Sequence, residues 1–195
     1  KNNYEVIGYD IDYFYDCNLT DKNIKLSKQI KKDIRNLSED DLDGIDVVIH
    51  LAGLANDPLG EFDPKLTDEI NYQSTIKLAE LSKIQKVKRF IYASSQSMYG
   101  VSDLQEELDE EDSKKNPVTA YARTKWEAEK KIKNFCNDDF TVVMFRPSTV
   151  FGASPRLRCD IVYNSLVASA YTTGKIEILS DGSPWRPVIH VKDLC

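Results

Sequence analysis

The stretch from residue 88 to residue 125 decides the fold. It begins KRFIYASSQSMYG (88–100), continues through an acidic segment and ends NPVTAYARTK (116–125). The short apolar run at 89–93 is bounded by polar residues, which predicts a buried strand. Tyr121 and Lys125 are four residues apart in a segment with helical spacing, so they share one face of a helix. The stretch therefore predicts a strand and a helix that contribute side chains to one place.

The polar side chains of this stretch can perform proton transfer. Ser94, Ser95 and Ser97 follow the predicted strand at its carboxyl end, where they can meet Tyr121 and Lys125. A lysine cation beside a phenol lowers the pKa of the phenol, because it favours the charged form. A serine hydroxyl can hold the same substrate oxygen, so the set could move a proton on and off an alcohol. The alternative is an ordinary helix face, since tyrosine and lysine at this spacing are common.

The motifs as a set resemble the extended short-chain dehydrogenase/reductases, which are NAD-dependent nucleotide-sugar epimerases and dehydratases. The active-site pair is matched by SSQSMYG (94–100) and YARTK (121–125). The other matches follow in the family's order: HLAG at 50–53, INYQST at 70–75, RPSTVFG at 146–152 and DGSPWRPVIHVKD at 181–193. The resemblance implies an α/β fold, a Rossmann-like parallel sheet flanked by helices. It also implies an NAD-binding domain over 1–150, interleaved with the start of a small substrate-binding portion over 151–195.

The resemblance assigns a role to each matching residue. Tyr121, as phenolate, takes the sugar hydroxyl proton, Lys125 holds the nicotinamide ribose, and Ser95 positions the oxygen. Ser94 and Ser97 are second choices for the serine. The implied cofactor-binding residues are Asp10, Asp33, Ile34, Leu51, Ala52, Gly53, Tyr121, Lys125 and Ser148, and the implied substrate-binding residues are Ser97, Thr149, Asn164 and Arg186. Arg156 and Arg158 are weaker substrate candidates. Asn71 corresponds to the asparagine that supports the active-site helix through its backbone.

The acidic end of the first predicted strand indicates NAD as the cofactor. In a dinucleotide-binding sheet, an acid at the end of the second strand accepts hydrogen bonds from the adenosine ribose hydroxyls. Asp10 fits that place, and Asp12 and Asp16 follow with no Arg or Lys between them. A 2′-phosphate would meet only negative charge there, so we predict NAD over NADP.

Several positions depart from the family pattern. No Gly-rich phosphate loop precedes Asp10, so we expect the chain to be an excerpt of a longer protein whose first strand and phosphate loop lie upstream. Ser74 stands where the family has glycine, and we expect tolerable packing because serine is small. Thr149 stands where asparagine is usual, and Pro187 replaces an acid.

Hydrophobic periodicity predicts the remaining elements. Strands are expected over 4–10, near 29–32, over 46–51 and over 140–146, and helices over 66–86, from Tyr121 to Phe135, and within 153–174. The polar segment 102–116 is predicted to be an exposed loop. His50 is predicted to be a packed strand histidine and not a ligand.

Composition limits the possible partners. The chain has 195 residues, 41% hydrophobic residues and a net charge of −6, which suits a globular protein. An acidic chain without a basic cluster argues against nucleic acid or an anionic membrane as partner. The four cysteines and two histidines are scattered, so no metal site is predicted. We expect a cytoplasmic protein with reduced thiols, and the resemblance implies a homodimer.

The favoured function is nucleotide-sugar epimerisation by transient oxidation. In the family's 4,6-dehydratases, Asp and Glu follow the active-site Ser or Thr and act as acid and base, whereas this chain has Gln96 and Ser97. The alternatives are a nucleotide-sugar reductase or a 4,6-dehydratase of the same family and, from another class, a non-catalytic NAD-binding sensor or scaffold.

Overall fold

The computed structural model describes residues 4–19, 26–55, 57–101, 107–178, 180–181 and 187–195. The strands are β1 Ile7–Asp10, β2 Lys28–Lys31, β3 Val47–His50, β4 Arg89–Ala93, β5 Thr141–Phe145, β6 Thr149–Phe151 and β7 Val188–His190. The helices are α1 Asp57–Phe62, α2 Pro64–Asp68, α3 Ser74–Ile84, α4 Ala120–Ile132, α5 Val162–Thr173 and α6 Val191–Leu194, with a π-helical turn Glu69–Gln73 between α2 and α3. The chain divides into two compact units, Lys1–Ile11 with Lys28–Arg146, and Asp12–Ser27 with Pro147–Cys195.

The first unit contains two parallel sheets. Strands β3, β4 and β5 pair in that order, and β1 pairs with β2. Parallel strands with helices between them confirm the predicted α/β class. In the described part of the chain no backbone ladder joins β1 to β3, which are neighbours of the first strand in the usual Rossmann order.

The core lies on one face of β4. Phe90 and Tyr92 are two residues apart on the strand, so they lie on the same face, and both are completely buried. The centre of the Phe90 ring lies 6.2 Å from that of Phe140. Leu78 of α3 and Ile132 of α4 belong to the same cluster. These two helices therefore cover the face of the sheet from which the site is built.

A π-helical turn interrupts the helix predicted over 66–86. Helical structure runs from Pro64 to Ile84, and the side chain of Ser74 donates to the carbonyl oxygen of Glu69 at 2.9 Å. Ser74 is buried with its hydroxyl satisfied, so the expected tolerance for serine at this position is confirmed. Such turns are frequent at functional sites, and this one carries Asn71.

The second unit is built on the parallel pair of β6 and β7. Helix α5 ends at Gly174, whose positive φ of 72° closes the helix in the left-handed conformation. The segment 107–116 is an irregular, largely exposed loop, as predicted for its described part. Among the described residues, no helix is long and apolar enough to span a membrane.

Candidate active site

Ser95 caps a tight turn at the carboxyl end of β4. Its hydroxyl oxygen accepts a hydrogen bond from the backbone N–H of Ser97 at 3.1 Å and donates to the Ser97 hydroxyl at 3.0 Å. The backbone N–H of Ser94 donates to the carbonyl oxygen of Phe145 at 2.9 Å, which holds the strand end against β5. Ser95, predicted for catalysis, and Ser97, predicted for substrate binding, are therefore in direct contact.

Helix α4 begins where the sequence predicts the catalytic helix. The hydroxyl of Thr119 accepts from the backbone N–H of Ala122 at 3.2 Å, and the carboxylate of Glu61 accepts from the N–H of Ala120. Both groups satisfy donors that a helix start leaves unpaired, and a carboxylate there also matches the helix dipole. This cap fixes the start of the helix one residue before Tyr121.

Lys125 connects α4 to the end of β4. Its ammonium group donates to the carbonyl oxygen of Ala93 at 2.8 Å and lies 4.7 Å from the ring centre of Tyr92 and 5.9 Å from that of Tyr121. Only 4% of the residue is exposed, and burial lowers the pKa of Lys125 to about 8. The structure thus brings a buried cation to its predicted tyrosine neighbour and ties it to Ala93, which precedes Ser95 by two residues.

Asn71 braces the loop that follows β3. Its amide nitrogen donates to the carbonyl oxygen of Leu54 at 3.1 Å, and its amide oxygen accepts from the N–H of Leu54 at 2.7 Å. This is a different contact from the expected support of the active-site helix. A side chain built on Gly53 would lie 3.0 Å from the Asn71 oxygen and 3.8 Å from the Lys125 nitrogen. Glycine at 53 therefore keeps space open beside Lys125.

His50 is a packed strand histidine, as predicted. Its Nε2 lies 2.7 Å from the hydroxyl oxygen of Thr75, which itself donates to the carbonyl oxygen of Asn71. The His50 N–H is therefore the donor of this bond, because the Thr75 proton is already used. Burial, followed by the charge of Lys125, lowers the pKa of His50 to about 3. His50 thus stays neutral near neutral pH and packs against Tyr92.

We expect His50 to make the protein sensitive to acid. An unfolded histidine takes up a proton below about pH 6.5 but the folded one does not until about pH 3, so stability is lost as pH falls through this window. This group alone should cost about 2 kcal/mol between pH 7 and pH 5.

The measurement is urea unfolding of the full-length gene product at pH 7 and pH 5, for the native protein and for His50→Gln. Glutamine can still donate to Thr75 but does not titrate, so the variant should lose about 2 kcal/mol less than the native protein over this range. Equal pH dependence of the two proteins would show that His50 is protonated in the folded state.

The predicted adenosine-binding residues lie around β1 and β2. Asp10 is exposed at the end of β1, and Ile34 packs against the core. The Asp33 carboxylate accepts from the backbone and guanidinium of Arg35, and these hydrogen bonds lower the pKa of Asp33. Asp33 is therefore ionised and forms an ion pair with Arg35, which the sequence composition did not indicate.

The residues predicted after β3 and β4 line the same sheet edge. Leu51 is exposed, and Ala52 and Gly53 are partly exposed just beyond β3. Beyond β4, Ser94 is buried and its hydroxyl, like that of Tyr92, makes no hydrogen bond within the described residues. Small residues at the carboxyl ends of parallel strands suit the close approach of a dinucleotide.

Three of the predicted residues that the structure describes belong to the second unit. Ser148 and Thr149 are partly exposed, the latter at the start of β6. The amide of Asn164 is engaged at both ends, since its oxygen accepts from the N–H of Gly152 at 3.1 Å and its nitrogen donates to the carbonyl of Arg158 at 2.9 Å. This side chain therefore braces its own unit. Arg186 lies outside the described residues.

Sequence reasoning missed two charged residues beside the site. Arg146, which is partly buried, and Glu129, which is buried, form an ion pair with a nitrogen–oxygen distance of 2.7 Å. Glu129 follows Lys125 by one helical turn, a spacing that could have drawn attention to it. Among the described residues, no cluster of histidine, cysteine and acidic groups could hold a metal ion.

Comparisons with known proteins identify relatives of this chain by sequence and by fold. An uncharacterised UDP-glucose epimerase of Bacillus subtilis is 28% identical over 156 residues, covering 78% of this chain and 47% of that protein. Human dTDP-D-glucose 4,6-dehydratase is 33% identical over 109 residues, covering 55% of this chain and 31% of that protein. The structure of a UDP-glucuronic acid 4-epimerase from Bacillus cereus, in complex with UDP-glucuronic acid and NAD, matches with a TM-score of 0.79 and 25% identity, covering 98% of this chain and 62% of that one.

The chain spans about half the length of the curated relatives it matches in the epimerase group, with 47% of the Bacillus subtilis protein covered. The family described as "NAD dependent epimerase/dehydratase" matches residues 1–195. The predicted family, its enzyme class and its NAD dependence are thereby confirmed. The chain belongs to the NAD-dependent epimerase/dehydratase family.

Proposed function

We propose that this protein is an NAD-dependent nucleotide-sugar epimerase that works by transient oxidation of a sugar hydroxyl. The observation that carries the proposal is Lys125, buried at the end of β4 with its ammonium group 5.9 Å from the Tyr121 ring centre. A buried cation beside a phenol favours the phenolate more strongly than an exposed one, because the low local dielectric strengthens their attraction.

Each member of the proposed catalytic set has a separate task. Tyr121 acts as phenolate and takes the proton of the sugar hydroxyl, which requires its pKa to fall by about three units from about 10. Lys125 stabilises the phenolate while its own ammonium group is protonated, below about pH 8. The hydroxyl of Ser95 can turn from Ser97 toward the substrate oxygen and hold it in place.

NAD, when bound, supplies the hydride acceptor and later the hydride donor for the opposite face of the sugar. We propose that Lys125 and Tyr121 hold its nicotinamide ribose, with Leu51, Ala52, Gly53 and Ser148 along its path. Gly53 suits this role because a side chain there would occupy the space beside the Lys125 nitrogen. Asp10, Asp33 and Ile34 are proposed to hold the adenosine, and Ser97, Thr149 and Arg186 the nucleotide sugar. Asn164 is left out of this proposal because both ends of its amide are engaged within its own unit.

Dehydration is the second candidate function, since a human 4,6-dehydratase is among the relatives. Dehydration needs an acid to protonate the leaving hydroxyl and a base to remove a proton beside the ketone. Gln96 cannot titrate, and the Ser97 hydroxyl donates or accepts only as a neutral group. Loss of such a group typically lowers a rate 10² to 10⁴-fold, so elimination should be slow.

The test is to incubate the full-length gene product with UDP-, dTDP- and GDP-hexoses and to measure the product masses. An epimerase leaves the mass unchanged, and chromatography resolves the new sugar. A product lighter by one water, formed at an ordinary enzymatic rate, would replace this proposal with the dehydratase. Tight NAD binding without any turnover would favour a non-catalytic sensor. A product that differs from the substrate by two hydrogen atoms would favour a reductase.

We expect the full-length gene product to bind NAD at least tenfold more tightly than NADP. Asp10 lies at the end of β1, where a phosphate dianion would meet its negative charge. Titration with both cofactors, followed by fluorescence, measures the ratio. Asp10→Asn should reduce the ratio of NAD affinity to NADP affinity. Equal binding of NAD and NADP by the native protein would instead show that Asp10 does not form the ribose site.

Cytoplasmic location and homodimer formation also remain proposals. The first is supported by four free cysteines with exposed thiols, which suit a reducing compartment. The second is supported only by the resemblance to the family. The net charge of −6 supports the expectation that neither nucleic acid nor an anionic membrane is a partner.

A further inference from the structure

Arg146 is the centre of a polar network beside the proposed catalytic set. Its guanidinium donates to the Glu129 carboxylate through Nε at 3.1 and 3.2 Å and through NH2 at 2.7 Å. Its NH1 donates to the Tyr99 hydroxyl at 2.8 Å and to the carbonyl oxygen of Glu110 at 2.6 Å. All three guanidinium nitrogens are therefore used, on three different segments of the chain.

These contacts converge on the segments that carry the proposed catalytic residues. Tyr99 closes the turn Gln96–Tyr99 that Ser95 caps, and Glu129 lies on α4 one turn after Lys125. Arg146 directly follows β5, which pairs with β4. One guanidinium thus ties the serine turn to the tyrosine–lysine helix at the end of the central strand.

Burial makes the pair sensitive to the loss of either partner. The side chain of Glu129 is 3% exposed and that of Arg146 is 15% exposed. A charge left alone in such a place is costly, because neither water nor a counter-ion compensates it. The hydrogen bonds that Arg146 donates to the Glu129 carboxylate also raise the pKa of Arg146, so the arginine stays protonated.

We propose that Arg146 and Glu129 act together as positioning residues, which fasten the Ser95 turn to the Tyr121–Lys125 helix and cancel each other's charge beside Lys125. The inference rests on the proposed function only in naming Tyr121 as the base. Neither residue contacts the reacting atoms in this assignment. Each acts through the placement and the electrostatic environment of the catalytic set.

The charge balance around Lys125 involves few other groups. His50 of β3 is neutral, and Tyr92 of β4 carries no charge because burial raises its pKa. Glu61 and Arg123 form an exposed pair at the start of α4, 3.9 Å apart. Glu129 is the anion that raises the pKa of Lys125 against the effect of burial.

Removal of one charge at a time should therefore shift the titration of Tyr121 in opposite directions. Glu129→Gln leaves a cation, which favours the phenolate and lowers the pKa of Tyr121. Arg146→Met leaves an anion, which raises that pKa. Eight residues of helix span about 12 Å, and one charge at that distance shifts a pKa by about one unit at an effective dielectric constant of about 20.

The experiment titrates Tyr121 directly in the full-length gene product loaded with NAD. Tyrosinate absorbance is recorded against pH for each protein and for the same protein carrying Tyr121→Phe, and the difference isolates Tyr121. The expected midpoints move about one unit down in Glu129→Gln and about one unit up in Arg146→Met, and return to the native value in the double variant. Glu127→Gln, which removes half of an exposed ion pair on the same helix, should cause no shift.

Turnover measurements distinguish the positioning effect of Arg146 and Glu129 from their electrostatic effect on Tyr121. Arg146→Lys keeps the cation but cannot form the planar fork, so it should keep the native midpoint and lose about tenfold in kcat with KM little changed. The double variant should show the same loss. Shifts of the same sign in both single variants, or no shift in either, would overturn the charge part. Full turnover in the double variant would overturn the positioning part.

The experiment remains decisive if a single variant fails to fold or if the protein has no epimerase activity. If a single variant does not fold, the double variant and Arg146→Lys still test the inference, because neither contains an unpaired buried charge. The titration uses no sugar substrate. A native protein without epimerase activity but with opposite shifts would therefore contradict the proposed function and leave this inference standing.

Discussion

Tyr121→Phe should reduce turnover at least about 10³-fold while NAD binding stays within about twofold of the native value. The substitution removes one oxygen atom, and with it the base that accepts the sugar hydroxyl proton. The ring remains in place against Lys125, whose ammonium group lies 5.9 Å from its centre. Lys125 also keeps its own hydrogen bond to Ala93. We therefore expect the fold and the cofactor site to be unchanged.

Turnover is measured with the nucleotide sugar that the native protein converts, and NAD binding by titration of the same preparations. Tyr171→Phe is the matched control, since Tyr171 is 90% exposed on α5 and should show full activity. A Tyr121→Phe variant that retains native turnover would remove Tyr121 from the mechanism. Loss of NAD binding along with turnover would instead assign it to cofactor binding alone.

Gly100→Ala should destabilise the protein by about 3 to 5 kcal/mol, a range that few single substitutions reach. Gly100 has a φ of +69°, which strains any side chain, and its added Cβ would lie 2.0 Å from the carbonyl oxygen of Asn116. The backbone cannot move away easily, because the N–H of Asn116 donates to Met98 at 2.9 Å in the same turn. The substitution should therefore also displace the turn that Ser95 caps.

Gly44 provides the matched control for this prediction. Its φ is +70°, but an added Cβ would have nothing within 4 Å. Gly44→Ala should cost only about 1 kcal/mol, which is the conformational term without the collision. Chemical unfolding of both variants measures the difference. Equal losses would mean that the contact between Gly100 and Asn116 does not constrain the turn.

Much of the fold could be predicted from local patterns. Strand β4 occupies 89–93 as predicted, because a short apolar run bounded by polar residues suits a buried strand of a parallel sheet. Helix α4 starts within one residue of the prediction, since Thr119 is a strong cap. The four-residue spacing then places Tyr121 and Lys125 on one face without further information.

What could not be predicted depends on contacts between distant segments. The pairing of Arg146 with Glu129 and Tyr99 joins residues up to 47 positions apart, and no local pattern indicates it. The π-helical turn Glu69–Gln73 lies inside a continuous helical segment, so hydrophobic periodicity over 66–86 does not distinguish it from ordinary α-helix. The role of Asn164 as a brace between two backbone groups likewise appears only once its unit is folded.

The central claim is that the hydrogen removed from the sugar carbon leaves as hydride and returns without exchange with water. The most direct test is to run the reaction of the full-length gene product in deuterium oxide and to measure the mass of the product. The account predicts a new nucleotide sugar with no deuterium bound to carbon, so that its mass is unchanged once its hydroxyl groups have been exchanged back in ordinary water. A product that has gained carbon-bound deuterium, or has lost a water molecule, would contradict it.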